Sequence, residues 1–228
     1  VKTNIHGAEN VVMAAIRTGV KSVIALSTDK ACNPVNLYGA TKLAADKIFV
    51  AGNNLSGSEG PIFSVVRYGN VIGSRGSVVP LFKKLIAEGA GELPITDLRM
   101  TRFWITLDQG VAFVLSCLNS MEGGEIFVPK IPSMKIIELA KCMASDLKHR
   151  EVGIRPGEKL HEVMISEDDA RTTVEFNDRY AILAPFVNNH RTDKGAIEGK
   201  PVVAGFRYAS DTNTDWLSSH EFRQILSM

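Results

Sequence analysis

The chain has 228 residues, of which 45% are hydrophobic and 22% are charged, and its formal net charge at pH 7 is +1. This composition is that of a folded globular protein with enough apolar residues for one large domain or two small ones, and it argues against a disordered chain. The near-zero charge, without a cluster of basic residues among aromatic ones, argues against a nucleic-acid-binding protein.

The three cysteines, Cys32, Cys117 and Cys142, are widely spaced and form no C-x-x-C pair. This spacing indicates neither a disulfide framework nor a zinc site, and it is typical of the reducing cytoplasm. Cys32 could be a nucleophile, but no histidine is near it in sequence, so we interpret it as a small packing residue. No apolar run approaches the roughly 20 residues that span a bilayer, and the first residues lack the order of a signal peptide, so we expect no membrane association.

Helices and strands alternate over the first seventy residues. The apolar periodicity predicts four elements in order: a helix at 5–18, a strand at 22–26, a helix at 34–51 and a strand at 62–67. Asn33 and Pro34 are expected to be the N-cap and the first residue of the second helix. The alternation is typical of a parallel sheet covered by helices, and the apolar strands are those of a sheet buried on both faces.

The pattern changes near residue 132. Before it, we expect a helix at 79–88, a helix at 108–121 and a strand at 125–128. After it, helices at 134–146 and 159–164 are separated by irregular polar segments, as in a smaller lobe. The segment 166–205 is weakly patterned, with a strand-like stretch at 180–183, and is given no place in the fold.

Tyr38 and Lys42 lie four residues apart near the start of the second predicted helix. Side chains at this spacing share a helix face about 5–6 Å apart, so the ammonium can stabilise the phenolate, and the tyrosine can act as a base at neutral pH. The spacing alone is frequent by chance. Its position after a buried strand, where α/β proteins bind ligands, favours a functional pair over a surface pair.

Thr28, Asp29 and Lys30 follow the predicted strand at 22–26. Neighbouring residues of a regular strand face opposite sides, so Asp29 and Lys30 reach one ligand only if the backbone leaves β geometry there. The pair is either a solvated ion pair or an acid and a base for one reaction. With Tyr38 eight residues further on, we favour the joint acid and base role.

A strand end runs into a glycine-rich loop at 67–77. Glycines allow close backbone approach, and Arg75 can grip a phosphate bidentately. The spacing of Gly69, Gly73 and Gly76 is not that of a dinucleotide-binding turn, and no acidic ribose ligand follows at the right interval. We therefore expect a phosphate-bearing substrate here, with a plain turn as the alternative.

Arg155 and Glu158 lie in a Pro-Gly turn, where they could clamp a diphosphate and sugar hydroxyls or form an exposed ion pair of small worth. We expect no metal site. Five histidines are scattered without ligand spacing, and we interpret all of them as structural or surface residues: His6, His149, His161, His190 and His220.

Together these motifs resemble the extended short-chain dehydrogenase/reductase superfamily and, within it, the inverting 4,6-dehydratases that act on UDP-N-acetylglucosamine in polysaccharide and pseudaminic acid biosynthesis. Six segments carry the resemblance nearly end to end: Ser27 to Ala31, Asn36 to Lys42, Val66 to Pro80, Pro94 to Trp104, Gly123 to Met134 and Ile154 to Val163. The resemblance implies an NADP-dependent enzyme that takes a UDP-sugar.

The resemblance implies an α/β fold that is the C-terminal part of a Rossmann-like parallel sheet, with a smaller substrate-binding lobe. On this basis, residues 1–77 and 101–130 form a partial NADP-binding domain, and residues 78–100 and 131–228 form the lobe. The Gly-rich first βαβ units of the family are absent, so the chain begins in the middle of the fold.

By position, the resemblance implies roles for three groups of residues. The catalytic residues are Thr28, Asp29, Lys30 and Tyr38. The cofactor-binding residues are Ser27, Tyr38, Lys42 and Val71. The substrate-binding residues are Asn70, Arg75, Gly76, Ser77, Val79, Arg155, Glu158 and a phosphate-facing Arg102.

The resemblance also implies an order of proton transfers. Tyr38 takes the proton of the substrate 4-hydroxyl as hydride moves to NADP, and Lys30 removes the C5 proton that the 4-keto group has acidified. Asp29 protonates the departing 6-hydroxyl before hydride returns to C6. Retaining relatives carry glutamate where this chain has Lys30, so Lys30 favours inversion at C5.

The missing units hold the adenosine side of the cofactor site, and at about 30 residues each they amount to roughly a hundred residues. We therefore expect the chain alone to bind NADP poorly, to leave one side of the strand at 22–26 without a neighbour and to associate, and we expect a homo-oligomer in the full-length form. Two alternatives stay open. A UDP-sugar 4-epimerase shares Tyr38 and Lys42 but needs no acid and base at 29 and 30, and a non-catalytic half-domain subunit needs none of these residues.

Overall fold

A computed structural model describes residues 1–184 and 199–227 of the chain. The chain forms two compact units that alternate along the sequence. Unit 1 comprises Val1–Tyr68, Val111–Lys130 and Val163–Arg207. Unit 2 comprises Gly69–Gly110, Ile131–Glu162 and Tyr208–Met228.

The first half of the chain contains a π-helical turn and eight regular elements. After the turn Lys2–His6 they are α1 (Gly7–Thr18), β1 (Ser22–Thr28), α2 (Leu37–Ser56), β2 (Ile62–Tyr68), β3 (Asn70–Val71), α3 (Val78–Ala87), β4 (Glu92–Ile95) and β5 (Thr101–Ile105). A 3-10 turn, Asp29–Ala31, lies between β1 and α2.

The second half contains shorter elements. They are α4 (Leu107–Ser120), β6 (Ile126–Pro129), β7 (Ser133–Lys135), α5 (Ile136–Met143), β8 (Lys148–Glu151), β9 (Val163–Ile165), α6 (Glu167–Ala170), β10 (Thr173–Glu175), β11 (Arg179–Ile182), β12 (Lys200–Pro201), β13 (Tyr208–Ala209) and α7 (Ser219–Ser227).

Unit 1 is built on a six-stranded sheet in the order β1, β2, β6, β11, β10, β12. β1, β2 and β6 run parallel, and β11, β10 and β12 continue the sheet with antiparallel pairings. β1 lies at the edge, with β2 as its neighbour among the described strands. The predicted α/β class is therefore confirmed, and the central sheet is mixed: it is parallel over β1, β2 and β6 and antiparallel beyond β6.

Two apolar clusters hold helices on the sheet of unit 1. In one cluster Phe63 of β2 packs with Val12 and Ala15 of α1, and in the other Val66 and Phe127 pack with residues of α4. Burial of these side chains is the main force that fixes the helices, at roughly 1.5–3 kcal/mol for each large one.

The start of α2 differs from the prediction. The helix begins at Leu37, and its N-cap is Asn36, whose side-chain oxygen accepts a hydrogen bond from the Gly39 amide at 2.8 Å. Asn33, the predicted N-cap, instead has a positive φ of 46° in the preceding loop. Asparagine both caps helices and tolerates this conformation, so composition alone did not separate the two positions.

Unit 2 contains a three-stranded sheet, β3-β5-β7, and a parallel pair, β4 and β8. β5 is buried along its whole length. Its Trp104 packs edge-on against Phe222 of α7, in a core that also contains Phe82, Leu93 and Leu139. Among the described residues of the whole chain, no helix is both long and apolar enough to cross a bilayer.

The unit boundaries differ from the predicted domain boundaries. Residues 69–77 and 101–110 belong to unit 2, because β3 pairs with β5 rather than with the large sheet. Residues 163–207 belong to unit 1, because β11 pairs with β6 and extends that sheet.

Of two helices predicted in the second half, one was wrong and the other was predicted too long. The segment 159–164 has no helix, and its end forms β9. The helix predicted at 134–146 is the shorter α5, preceded by β7. The strand-like stretch at 180–183 is confirmed as β11 within one residue. Residues 185–198, part of the weakly patterned segment 166–205, lie outside the described residues.

Candidate active site

The carboxyl end of β1 is where unit 1 collects its reactive side chains. Thr28 is extended, with φ −152° and ψ 155°, and the chain then turns into the 3-10 turn Asp29–Ala31. The Thr28 hydroxyl donates to an oxygen of Asp29 at 2.9 Å and accepts from the Lys30 amide at 3.4 Å. The backbone therefore leaves β geometry at the position where the sequence required it.

Asp29 and Lys30 form a direct pair at this turn. The Lys30 ammonium donates to Oδ1 of Asp29 at 2.9 Å. The Asp29 side chain is fully buried, whereas the Lys30 side chain is 36% exposed. The carboxylate is thus fixed in the protein, and the amine is fixed by it while still reaching solvent. An acid and a base in adjacent positions can serve one substrate.

The first turn of α2 packs tightly on this loop through Gly39. A Cβ at Gly39 would lie 2.3 Å from the Lys30 carbonyl oxygen and 2.9 Å from Cβ of Pro34. A larger residue would push the helix away from the turn. Glycine therefore keeps the neighbouring Tyr38 close to the Asp29–Lys30 turn.

Tyr38 is half exposed at the start of α2. Its phenol interacts with Tyr68, whose pKa is raised first by burial and further by Tyr38. Tyr68 ends β2 and is the register partner of Thr28 at the end of β1. The interaction therefore places the Tyr38 phenol at the same sheet edge as Thr28.

Lys42 lies one turn after Tyr38, and its ammonium donates to the carbonyl of Leu26 in β1 at 2.8 Å. This bond holds the amine at the end of the strand and uses one of its three N–H donors. Two residues that sequence reasoning missed support the same turn. Asn4 donates to the Thr41 hydroxyl at 3.0 Å, and that hydroxyl donates to the Tyr38 carbonyl at 2.9 Å.

Behind this edge lies a buried ionic network that sequence reasoning also missed. Arg67 of β2 is 1% exposed and contacts Asp46 of α2 at 3.3 Å and Asp169 of α6 at 3.6 Å. Burial raises the pKa of Asp46, and the attraction of Arg67 and the nearby Ser27 hydroxyl act against it. The Ser27 side chain, predicted to bind cofactor, is buried and faces Asp46.

The substrate-binding residues predicted from sequence lie in unit 2, as does Val71. Gly73 and Gly76 both have positive φ, 77° and 75°, and the loop between them exposes Arg75. Ser77 is the N-cap of α3 and makes no side-chain capping bond. The loop therefore presents a guanidinium next to a helix N-terminus, an arrangement that suits a phosphate.

Three residues of unit 2 that were predicted to bind substrate or cofactor are partly or fully buried. Asn70 and Val71 are half-buried in β3, where they are the register partners of Trp104 and Ile105. The Val79 side chain is 1% exposed and lies in the hydrophobic core. A substrate would meet the backbone of Val79 rather than its side chain.

Arg155 and Glu158 form a turn around Gly157, which has a φ of 78°. A Glu158 carboxylate oxygen accepts from the Arg155 amide at 3.4 Å, and the Glu158 amide donates to the Arg155 carbonyl at 3.0 Å. The other carboxylate oxygen lies 3.8 Å from Arg102. The Arg155 residue is exposed, so its guanidinium is open to a ligand.

Arg102, predicted to face a phosphate, directs its guanidinium into the protein. Its nitrogens donate to the carbonyls of Thr101, Leu160 and Lys159 at 2.7, 3.0 and 2.9 Å. Its role as a ligand stays a prediction from sequence that this geometry does not favour.

The remaining candidates have structural surroundings. Cys32 is buried, and its thiol lies 3.8 Å from Asp169. His161 contacts the Thr101 hydroxyl at 2.8 Å, and His6 pairs with Glu9. His190 lies outside the described residues.

Comparison with known proteins assigns the chain to a family. The family model described as "Polysaccharide biosynthesis protein" matches residues 1–184. The UDP-N-acetylglucosamine 4,6-dehydratase (inverting) of Campylobacter jejuni subsp. jejuni serotype O:2 is 59% identical over 233 residues, which cover 100% of this chain and 70% of the relative. The chain belongs to the family of nucleotide-sugar 4,6-dehydratases.

Two further relatives are an epimerase and a protein of known structure. The UDP-glucose 4-epimerase of Rickettsia canadensis is 38% identical over 99% of this chain and 67% of the relative. The X-ray structure of Pen from Bacillus thuringiensis is 35% identical, with a TM-score of 0.85 over 98% of this chain and 66% of that one. The chain thus spans about two thirds of the length of these proteins.

More distant dehydratase and epimerase structures share the fold, so the predicted Rossmann-like class of this family member is confirmed. The predicted similarity to inverting 4,6-dehydratases is confirmed as well. The catalytic and binding roles of single residues stay proposals.

Proposed function

We propose that the protein is an NADP-dependent 4,6-dehydratase that converts UDP-N-acetylglucosamine to a UDP-4-keto-6-deoxy sugar with inversion at C5. The observation that carries the proposal is the Asp29–Lys30 pair at 2.9 Å on the 3-10 turn after β1. Oxidation of a sugar at C4 alone needs one base, which Tyr38 supplies. Loss of water needs a further base at C5 and an acid at O6, and this pair supplies both.

A nicotinamide dinucleotide fits the donors that unit 1 offers. Lys42 keeps two N–H donors beyond the one used by Leu26, and these suit the hydroxyls of a ribose. When bound, the dinucleotide accepts a hydride from C4 and later returns it to C6. The relatives' names do not distinguish NADP from NAD, so we propose NADP on the sequence resemblance and expect tighter binding of NADP in a direct comparison.

The protein's own groups then move the protons. Tyr38 takes the proton of the 4-hydroxyl as the C4–H bond breaks. The Lys30 ammonium passes one proton along its hydrogen bond to Asp29, which leaves Lys30 as the free amine and Asp29 as the acid. Lys30 then takes the C5 proton, and the electron pair of the C5–H bond forms the C5–C6 double bond as the C6–O bond breaks. Asp29 gives its proton to O6, which leaves as water. A proton from solvent then adds to C5 from the opposite face, as hydride returns to C6, and gives the inverted product.

Unit 2 supplies the groups for the nucleotide part of the substrate. We assign phosphate recognition to the loop with Arg75, Gly76 and Ser77 and to the turn with Arg155 and Glu158. Both segments combine an exposed guanidinium with a left-handed glycine. Asn70 and the backbone of Val79 complete this proposed set.

The deciding experiment uses the complete gene product that contains this chain. Incubated with UDP-N-acetylglucosamine and NADP, it should yield a product lighter by one water in mass spectrometry. In deuterium oxide, proton NMR should show deuterium at C5 and the inverted configuration there. Tyr38→Phe should abolish turnover while leaving the unfolding midpoint unchanged, because the ring is half exposed and its hydroxyl is dispensable for packing.

Lys30→Met is the sharper variant for the role of Lys30, because methionine has no basic group. It should reduce dehydration by at least about 100-fold, the usual contribution of a general base. A variant that keeps the wild-type rate would contradict the role of Lys30.

A 4-epimerase is the second candidate, because a relative at 38% identity bears that name. An epimerase would interconvert the C4 epimers of the UDP-sugar without a change in mass. Its turnover would survive Lys30→Met, since that reaction does not use the pair.

We further propose that the protein acts in the cytoplasm, in polysaccharide or pseudaminic acid biosynthesis, as a homo-oligomer. The 228-residue chain by itself should bind NADP weakly, because its relatives contain further residues that it does not match. Isothermal titration of the chain with NADP tests this, and tight binding would refute it.

A further inference from the structure

The proposed catalytic turn Asp29–Ala31 is followed by Cys32, which contacts a residue far along the chain. The Cys32 amide donates to the Asp29 carbonyl at 3.2 Å and closes the turn. The Cys32 thiol donates to a carboxylate oxygen of Asp169 in α6 at 3.8 Å, and Cys32 is 3% exposed. A thiol is a weak donor, but a carboxylate is a strong acceptor. The end of the turn is thus tied to α6.

The same oxygen of Asp169, Oδ2, contacts two further elements of unit 1. It lies 3.6 Å from Nη1 of Arg67 in β2, and it accepts from the Ser166 amide at 3.2 Å in the capping box of α6. A capping box needs only residues of its own helix. Capping therefore does not explain why this carboxylate also faces Arg67 and Cys32, which belong to other elements.

Arg67 fixes this carboxylate on the framework of unit 1. Its Nη1 donates to the Met164 carbonyl at 2.8 Å, and its Nη2 lies 3.3 Å from a carboxylate oxygen of Asp46 in α2. The arginine is 1% exposed, and the planar fork of its donors is rigid. The position of Asp169 is therefore set relative to β2 and to α2, the helix that carries the tyrosine–lysine pair.

The turn and α2 have different supports and different proposed tasks. Oxidation at C4 uses Tyr38 of α2, whereas water loss uses Asp29 and Lys30 of the turn. Gly39 packs on the Lys30 carbonyl and supports the middle of the turn, and the contact with Asp169 supports its end. Loss of the second support should disturb the turn and leave the tyrosine in place.

We propose that Asp169 is a positioning residue for water loss: through Cys32 and Arg67 it fixes the turn that carries Asp29 and Lys30. The assignment of water loss to this turn rests on the proposed function, whereas the tie between α6 and the turn does not. In this role Asp169 acts through the turn and not on the substrate.

Hydrogen exchange of the ligand-free complete gene product tests the tie directly. In Asp169→Asn the Lys30 and Cys32 amides should exchange roughly tenfold faster, as in local opening of the turn. Asparagine keeps a side-chain oxygen for the Ser166 amide, so the cap of α6 is retained. Asp168→Asn is the matched control, because the Asp168 side chain is 92% exposed in the same helix, and it should change neither amide. Unchanged exchange in Asp169→Asn, or equal acceleration in the control, would overturn the proposal.

Single-turnover absorbance tests the link to water loss. With UDP-N-acetylglucosamine and NADP, the absorbance of reduced nicotinamide rises with oxidation at C4 and falls when the hydride reaches C6. In Asp169→Asn the rise should stay within about twofold of the wild type, whereas the fall should be roughly tenfold slower, because misplaced groups lose rate steeply. Asp168→Asn should change neither phase. Equal slowing of both phases, or an unchanged fall, would overturn the proposal.

Variants of Cys32 test the path of the effect. Cys32→Ala removes the donor and should slow the fall about fivefold, whereas Cys32→Ser keeps a donor and should stay within about twofold. The double variant of Cys32→Ala with Asp169→Asn should be no slower than Asp169→Asn, because both changes remove the same contact. Multiplied effects would show that Asp169 does not act through Cys32 and would overturn the proposal.

These measurements keep the two possible failures apart. If the wild-type protein releases no water from the UDP-sugar, the proposed function fails, while the exchange data still judge the tie between α6 and the turn. If Asp169→Asn does not fold, the two Cys32 variants provide both measurements, and equal behaviour of Cys32→Ala and the wild type would overturn the proposal.

Discussion

Unit 1 and unit 2 each bury one arginine beside their proposed binding residues, and the two arginines differ in their partners. Arg67 meets two carboxylates from two helices and donates to the carbonyl of Met164 at 2.8 Å. Arg102 donates to three carbonyls and meets two carboxylates of a single segment. One arginine joins distant elements, and the other fixes one loop.

The consequence is a difference in what each arginine supports. Removing Arg67 would leave Asp46 and Asp169 together without a cation behind α2, the helix that carries Tyr38 and Lys42. Removing Arg102 would free carbonyls near the surface of one segment, and water can satisfy some of them. We therefore expect a global effect from the first change and a local effect from the second.

The largest effect is expected for Arg67→Met. Methionine fills much of the volume but leaves two carboxylates unpaired, one of which is 3% exposed, so the free energy of unfolding should fall by about 3–5 kcal/mol. Urea denaturation followed by circular dichroism measures it. Arg171→Met is the matched control, because the Arg171 side chain is 78% exposed and its partner Asp168 is 92% exposed, and it should cost less than about 1 kcal/mol. Equal losses in both variants would show that the network of Arg67 adds nothing.

Arg102→Met should cost less, about 1–3 kcal/mol, the penalty of one buried acceptor left unsatisfied. The Leu160 carbonyl keeps the Thr101 amide as a partner, which limits the loss. The same denaturation experiment measures it. A loss larger than that of Arg67→Met would reverse the comparison and make Arg102 the more important support.

The contrast between the arginines also shows which structural features can be predicted from the sequence. The helix periodicity of α1 and α3 and the Asp29–Lys30 pair were predictable, because their partners lie within a few residues. The carboxylate partners of Arg67, Asp46 and Asp169, are 21 and 102 positions away in the sequence, and no local pattern predicts these contacts. Such contacts are created by the packing of the sheet.

Local patterns also misled where tertiary pairing prevailed. Leu160, Val163 and Met164 have the three- and four-residue spacing of a helix face, and the sequence therefore predicted a helix there. In the structure this stretch is the segment that Arg102 holds, followed by β9. Arg102 was predicted to face a phosphate by position in the family, and position does not show how many acceptors surround a guanidinium.

Two aspartates, one in each unit, should give the stability of the protein opposite dependences on pH. In unit 2, the hydrogen bonds from Arg99 lower the pKa of Asp97 to about 2 from 3.8. A lowered pKa in the folded state contributes stability above pH 3.8 that is lost as the pH falls toward 2. Asp97→Asn should remove this part of the acid dependence, so its unfolding free energy should fall less between pH 4 and pH 2 than that of the wild type. An identical slope would contradict the shift.

In unit 1 the pKa shift of the aspartate has the opposite sign. Burial raises the pKa of Asp46 above 3.8 despite the attraction of Arg67, so the folded state holds this proton more tightly than the unfolded state. Stability should therefore decline as the pH rises from 3.8 through the raised value. Asp46→Asn, an uncharged variant of similar shape, should flatten this decline in urea titrations at several pH values. A steeper decline in the variant would show that Arg67 prevails over burial.

The smallest expected effect is a difference in thiol reactivity between the two units. Burial raises the pKa of Cys117 to about 12, and Cys32 is 3% exposed beside Asp169, whereas Cys142 of unit 2 is only half-buried. Thiolates react and thiols do not, so iodoacetamide at pH 8 should modify Cys142 first.

Mass mapping of the labelled peptides then tests the network of Arg67 without full unfolding. Arg67→Met should speed the labelling of Cys32, because the loss of Arg67 frees Asp169 and lets the loop that contains Cys32 open. Arg102→Met, which loosens a segment of the other unit, should leave the labelling of Cys32 unchanged and serves as the control. If both variants expose Cys32 equally, the expected difference between a global effect of Arg67 and a local effect of Arg102 is wrong.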